Sequence, residues 1–116
     1  MKNMSARILV ISLMLAVVAG AGVSRVHAAK CDLTYANFGQ AFVAQYCLKC
    51  HGAAKTGWWA RNGAPAAVNF DKAEDIAKKK GDIIKMVVDK KSMPPTDPYP
   101  AADERAKVKT WLECQS

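Results

Sequence analysis

Apolar side chains recur at every third or fourth position between residues 35 and 46 of this chain. The repeating positions are Phe38, Phe42, Val43 and Tyr46. Positions three and four apart share one face of a helix, so this spacing predicts a first helix over residues 35–46 with one apolar side.

The middle of the chain shows less periodicity. Residues 52–70 carry several glycines and Pro65, which predicts a long loop that is ordered by wrapping something large. Two short helical stretches are predicted after this loop, over residues 71–80 and 82–91, with the break between them at Gly81.

A proline cluster separates these stretches from the C-terminal part. Four of the five prolines lie between Pro94 and Pro100, and this density predicts a stiff loop rather than a helix or a central strand. No segment of the chain has a convincing strand pattern. The predicted fold class is therefore all-α.

A final amphipathic helix is predicted after the proline loop. Its apolar side is formed by Val108, Trp111 and Leu112. Because Ala101 and Ala102 stand where a good N-cap residue would, we expect this helix to fray at its start.

The first 28 residues have the layout of a secretory signal. Lys2 and Arg7 give a positive start, and the apolar run over residues 8–19 is shorter than the ~20 residues that a membrane span needs. We expect cleavage between Ala28 and Ala29, export to the periplasm and a soluble mature domain over residues 29–116. A retained membrane anchor is the alternative.

Removal of this signal would change the charge and size of the chain. It deletes three basic residues and no acidic one, so the formal net charge falls from +7 to +4 and 88 residues remain (116 minus 28). A mildly basic chain suits an acidic protein surface or a membrane face, and it lacks the dense basic patches of a nucleic-acid binder. A domain this small makes a marginal core, so we expect disulfides or a prosthetic group to supplement it.

The residues Cys47-Leu48-Lys49-Cys50-His51 match the C-x-x-C-H signature of c-type haem attachment. Two thiols at that spacing lie within about one helical turn, so both can bond to the vinyl groups along one edge of the macrocycle. His51 then faces the iron. The alternatives are a thioredoxin-like redox pair, a cysteine-rich zinc site and a plain disulfide.

From Phe38 to Cys114 the chain resembles the small bacterial class I cytochromes c. The motifs that carry the resemblance are Gly39, the C-x-x-C-H segment, Asn69-Phe70-Asp71 after Pro65, Met93-Pro94-Pro95, Glu104-Arg105 and Trp111-Leu112. The resemblance implies the cytochrome c fold, in which three to five helices wrap one covalent haem c. It also implies axial histidine and methionine ligands and an electron-transfer role without catalytic residues.

The second axial ligand is expected to be Met93. His27 leaves with the signal, so His51 is the only histidine of the mature chain, and Met86 and Met93 are its only methionines. Met86 falls among the apolar residues of a predicted helix, where packing is its ordinary role. Met93 precedes Pro94, and the stiff proline loop could hold its sulfur over the iron.

The remaining cysteines, Cys31 and Cys114, are expected to form a disulfide. An even remainder of thiols in an oxidising compartment favours a bridge, and the resemblance implies that the first and last helices cross, which brings the two residues together. Two reduced cysteines or an intermolecular dimer are the alternatives.

Smaller features lead to further expectations about the haem site. The resemblance implies that a loop carbonyl near a proline, here Pro65, is the acceptor for the second nitrogen of His51. Trp58 and Trp59 are expected to form part of the pocket wall, and an indole N–H or Arg61 could instead reach a haem propionate. Gly39 is expected to face Trp111 where the first and last helices pack.

These observations favour a diffusible, monomeric electron carrier that is not an enzyme. Lys90 and Lys91 are expected to border the exposed haem edge and, with the run Lys78 to Lys80, to attract redox partners that have an acidic docking surface. A gas-binding or sensor haem protein and a haem subunit of a larger oxidoreductase are the alternatives.

Overall fold

The computed structural model describes residues 31–115, so the predicted signal peptide and its cleavage site lie outside the described residues. The first helix, α1, begins with a π-helical stretch, Tyr35–Gly39, and continues as an α-helix, Gln40–Tyr46. Its start is capped reciprocally: the Thr34 hydroxyl accepts from the backbone N–H of Asn37, and the Asn37 side chain accepts from that of Thr34. The helix predicted over residues 35–46 is confirmed.

Three short helices follow α1. They are α2, Leu48–His51; α3, Ala73–Lys78; and α4, which runs as Lys80–Ile83 and then in π-helical winding as Ile84–Asp89. The predicted break at Gly81 is wrong, because Gly81 lies inside α4. The chain instead leaves helical geometry at Lys79, with φ −106° and ψ 10°.

The last helix, α5, spans Ala102–Glu113. Ala101 has no side-chain acceptor, but the Glu104 carboxylate accepts from the Ala101 backbone N–H at 2.9 Å and from the Tyr46 hydroxyl at 2.9 Å. Glu104 therefore fixes the helix start that was expected to fray, and it ties α5 to the end of α1. Burial, followed by the hydrogen bond to Glu104, raises the pKa of Tyr46.

The described part of the chain is helical and contains no strand, which confirms the all-α prediction. Over the same residues, 31–115, no helix is long and apolar enough to cross a membrane.

The crossing of α1 and α5 forms the centre of the core. Gly39 is buried and lies directly against the indole ring of Trp111, as predicted. Phe38 meets the same indole edge-on, with ring centroids 6.0 Å apart. The buried apolar residues are Phe42, Val43, Tyr46, Phe70, Ile76, Val87, Val108, Trp111 and Leu112.

A disulfide joins Cys31, ahead of α1, to Cys114, which follows α5; the Cα atoms are 5.6 Å apart. The predicted pairing is confirmed. The two cysteines are separated by 83 positions in the sequence. In the chain-entropy model, a bridge over this distance stabilises the folded state by roughly 4 to 5 kcal/mol.

The close approach of Gly39 to Trp111 makes glycine necessary at this position. A methyl group at Gly39 would collide with the indole ring, so Gly39→Ala is expected to lower the free energy of unfolding by about 1 to 3 kcal/mol. Gly81→Ala is the matched control: it lies in a helix with nothing within 4 Å of the added methyl, and alanine there should stabilise by up to about 1 kcal/mol. Urea denaturation measures the free energy of unfolding of both variants. Equal effects of the two substitutions would contradict the close contact between Gly39 and Trp111.

Candidate functional site

A cavity of ≈ 330 Å³ lies between the C-x-x-C-H segment, the loop around residues 61–70 and the proline loop. The four residues predicted to hold the cofactor, Cys47, Cys50, His51 and Met93, all line it. Cys47, Cys50 and His51 belong to one segment, and folding brings Met93, which is distant in sequence, to the same cavity. The cavity falls in the size range of small-molecule and cofactor sites.

The two thiols face the cavity from consecutive turns. Cys47 stands at the joint between α1 and α2, and its carbonyl accepts from the backbone N–H groups of Cys50 at 3.1 Å and His51 at 2.9 Å. This tight turn fixes the spacing of all three side chains. Both cysteines are free of disulfide bonds, so their thiols remain available.

The environment of these thiols argues against two of the alternatives. Burial raises the pKa of the Cys47 thiol to about 12, whereas the nucleophile of a thioredoxin-like pair needs a lowered pKa. Within residues 31–115 no three His, Cys, Asp or Glu side chains are grouped so that they could hold a metal ion, so the ligand set of a zinc site is not found there.

His51 is oriented by a backbone carbonyl. Its Nδ1 lies 3.0 Å from the carbonyl oxygen of Val68, and when Nδ1 carries the proton, Nε2 keeps a free lone pair. The acceptor is thus a loop carbonyl near Pro65, as expected, three residues after the proline; the Pro65 carbonyl itself accepts from Val68 N–H and from Arg61. Phe70 packs against the imidazole, with ring centroids 4.9 Å apart.

Arg61 is 3% exposed and holds the loop that forms this wall. Its guanidinium has five N–H donors, and the structure gives it five backbone acceptors. The acceptors are the carbonyls of Gly52, Lys55, Ala64, Pro65 and Val68, at distances of 2.8 to 3.1 Å. Since these donors are already used, the expectation that Arg61 reaches a propionate is not supported.

One oxygen atom connects Arg61 to the candidate iron ligand. The Val68 carbonyl accepts from Arg61 at 2.8 Å and lies 3.0 Å from Nδ1 of His51. The position of the imidazole therefore depends on the arginine. Sequence reasoning missed this role, and the available signal was an arginine in a segment without any acidic residue to pair with.

Trp58 and Trp59 do not form the pocket wall, in contrast to the expectation. Their side chains are 65% and 88% exposed, and neither lines the cavity. The backbone N–H of Gly63 donates to the Trp58 carbonyl at 2.9 Å, so the chain reverses here and leaves the indoles outside. The wall is built instead by the small residues 62–65 and Arg61.

A second buried arginine holds the opposite end of the site, the proline loop. Arg105 is 7% exposed and donates to the carbonyls of Pro100 at 3.3 Å, Met93 at 3.0 Å and Val87. These bonds attach the loop to α4 and α5 at once. The backbone of Met93 is therefore fixed.

Met86 also lines the cavity. Its sulfur lies 3.8 Å from the hydroxyl of Ser92, which donates to it, and its carbonyl accepts from the backbone N–H of Met93 at 3.2 Å. The same hydroxyl also lies 3.4 Å from the Met86 carbonyl, so its contact with the sulfur is weak, and the choice of Met93 as candidate ligand rests on its place before the proline loop.

The lysines at the cavity differ in part from those expected. Lys90 and Lys91 are exposed but do not line it, whereas Lys49 and Lys79 do. Lys79 forms an exposed ion pair with Asp82 at 3.7 Å, a kind of contact that contributes little to stability. Lys49 is the lysine next to the candidate attachment cysteines.

Comparison of the chain with known proteins found no matching family, curated protein or solved structure.

Loss of the Arg61 contacts is expected to destabilise the fold. Arg61→Leu removes five hydrogen bonds. The carbonyls of Gly52, Pro65 and Val68 keep a second partner. Those of Lys55 and Ala64 lose their donor, and a carbonyl left without a partner costs about 1 to 3 kcal/mol when buried, so the free energy of unfolding should fall by about 2 kcal/mol or more. Arg61→Lys keeps the charge but cannot reach five acceptors, and it should rescue only part of the loss. Urea denaturation measures both variants.

Lys55→Gln is the control, because Lys55 is an exposed residue of the same loop whose side chain should contribute less than about 0.5 kcal/mol. An Arg61→Leu variant as stable as this control would contradict the role given to the guanidinium.

Proposed function

We propose that this chain is a monohaem c-type cytochrome of the class I type, which carries single electrons between redox proteins in the periplasm. The observation that carries the proposal is the convergence of Cys47, Cys50, His51 and Met93 on one cavity. When bound, the haem supplies an iron that alternates between two oxidation states.

The residues of the cavity fit such a group. Two free thiols one turn apart match attachment along one edge of the macrocycle. His51 presents one nitrogen to the cavity while the Val68 carbonyl orients the ring through the other, the arrangement usual for a metal-bound histidine. Apolar side chains such as Phe42, Phe70 and Val87 form much of the remaining wall.

The arrangement around Met93 favours a carrier over a gas-binding or sensor protein. A gas-binding site needs an open or easily displaced iron position, whereas Arg105 holds the Met93 carbonyl and the following loop in place. A methionine and histidine ligand pair raises the reduction potential. A rigid ligand set also limits rearrangement between the two oxidation states, as electron transfer requires.

The charge of the protein supports acidic protein partners. The mature chain would carry a formal charge of +4 (seven minus the three basic residues of the signal), and Lys49 lies at the cavity. Complementary charge accelerates the encounter of transient partners. We propose that the protein works as a monomer and is not itself an enzyme.

The exported protein is expected to contain one covalent haem. Its intact mass should exceed that of the processed polypeptide by one haem, and acidified acetone should fail to extract the pigment, because thioether bonds to Cys47 and Cys50 retain it. A double variant, Cys31→Ser with Cys114→Ser, is the control and should keep the haem. A mass equal to that of the apoprotein would refute the proposal.

Met93→Ala is expected to remove an axial ligand. The sulfur-to-iron band of the oxidised protein should disappear, the reduction potential should fall, and carbon monoxide should bind the reduced protein.

Met86→Ala is the matched control, because Met86 lines the same cavity and should leave all three properties nearly unchanged. If the Met86 variant loses the band and the Met93 variant keeps it, the ligand assignment is wrong.

A further inference from the structure

Trp58 and Trp59 form an unusual feature of the surface. Both indoles are largely exposed, at 65% and 88%, and they lie nearly perpendicular, at 87°, with ring centroids 4.9 Å apart. Exposed aromatic patches on small soluble domains commonly mark binding sites, and tryptophan is among the residues that contribute most to protein interfaces.

The backbone presents these indoles in a fixed position. The carbonyl of Trp58 accepts from the N–H of Gly63, and the carbonyl of Trp59 accepts from the N–H of Asn62. Arg61, two residues after Trp59, is buried and bonded to five carbonyls. Because little backbone freedom is left to lose on binding, the segment that carries the two rings is preorganised.

The tryptophans lie beside the cavity. A methyl group placed at Gly63 would be 3.5 Å from the ring of Trp58, so Trp58 packs over Gly63. Gly63 itself lines the cavity. A molecule that covers the indoles would therefore stand next to the group that the cavity holds.

The chain around the tryptophans is basic. Between Asp32 and Asp71 there is no acidic residue, while Lys49 and Lys55 lie in this interval; Arg61 also lies there but is buried. Lys55 is exposed in the same loop as the indoles. The acids at the cavity, Asp82 and Asp97, come from other segments.

We propose that Lys55, Trp58 and Trp59, here called the tryptophan patch, form the docking surface for an acidic redox protein. This inference rests on the proposed electron-transfer function and names the partner of the same site. An electron partner must approach the cavity, which explains why the patch borders it; a lipid surface would impose no such position. The indoles supply apolar contact at the centre, and Lys55 attracts the acidic surface.

Binding to an acidic flavodoxin, used as the probe protein, tests the proposal. Titration calorimetry at low ionic strength compares the haem-loaded wild type with Trp59→Ala, Lys55→Glu and Tyr99→Ala. Trp59→Ala should raise the dissociation constant by about tenfold or more, as expected for a central aromatic anchor. Lys55→Glu should also raise the dissociation constant and should make it less dependent on salt concentration. Tyr99, an exposed aromatic at 55%, is the control and should change binding less than about twofold.

An unchanged dissociation constant for Trp59→Ala, or equal losses for Trp59→Ala and Tyr99→Ala, would overturn the docking surface. So would Trp59-dependent binding to phosphatidylglycerol vesicles without Trp59-dependent binding to the flavodoxin, since that result would assign the patch to a membrane. Haem content is measured separately by mass. A haem-free chain that still binds through Trp59 retains the docking surface and refutes the electron carrier.

Discussion

A single guanidinium orders the part of this chain that has no regular secondary structure. Between the end of α2 and the start of α3 the backbone forms no helix, so its carbonyls lack the partners that a helix would supply. Arg61 donates hydrogen bonds to five of these carbonyls and so holds the loop in place as one wall of the cavity. The orientation of His51, through Val68, and the outward position of the tryptophans both follow from this wall.

The other wall is built by the same kind of interaction. Arg105, itself in α5, binds carbonyls of α4 and of both ends of the proline loop, as Arg61 does with those of the glycine-rich loop. In residues 31–115 neither arginine forms an ion pair, so backbone dipoles alone solvate the two buried charges. The apolar core of this small domain is limited. The walls of its cavity therefore depend on the hydrogen bonds between the two arginines and the backbone carbonyls.

Helix positions could be predicted from the sequence because they rest on periodicity, and Gly39 and Trp111 could be paired because the resemblance places them at a helix crossing. The errors fall where local pattern carries no information. A loop has no period, so nothing in the sequence shows that Trp58 faces outward, or which carbonyl near Pro65 meets His51. The break between α3 and α4 falls at Lys79, since a glycine can continue a helix when it is exposed.

The disulfide changes which contacts count as distant. Along the backbone, the contact between Gly39 and Trp111 joins opposite ends of the described chain. Through the bridge it is short: eight residues separate Gly39 from Cys31, and three separate Cys114 from Trp111. A chain oxidised before it folds therefore meets this contact as a local one, at a small entropy of loop closure. The effective contact order falls, and the helix crossing becomes a site where folding of the oxidised chain can begin.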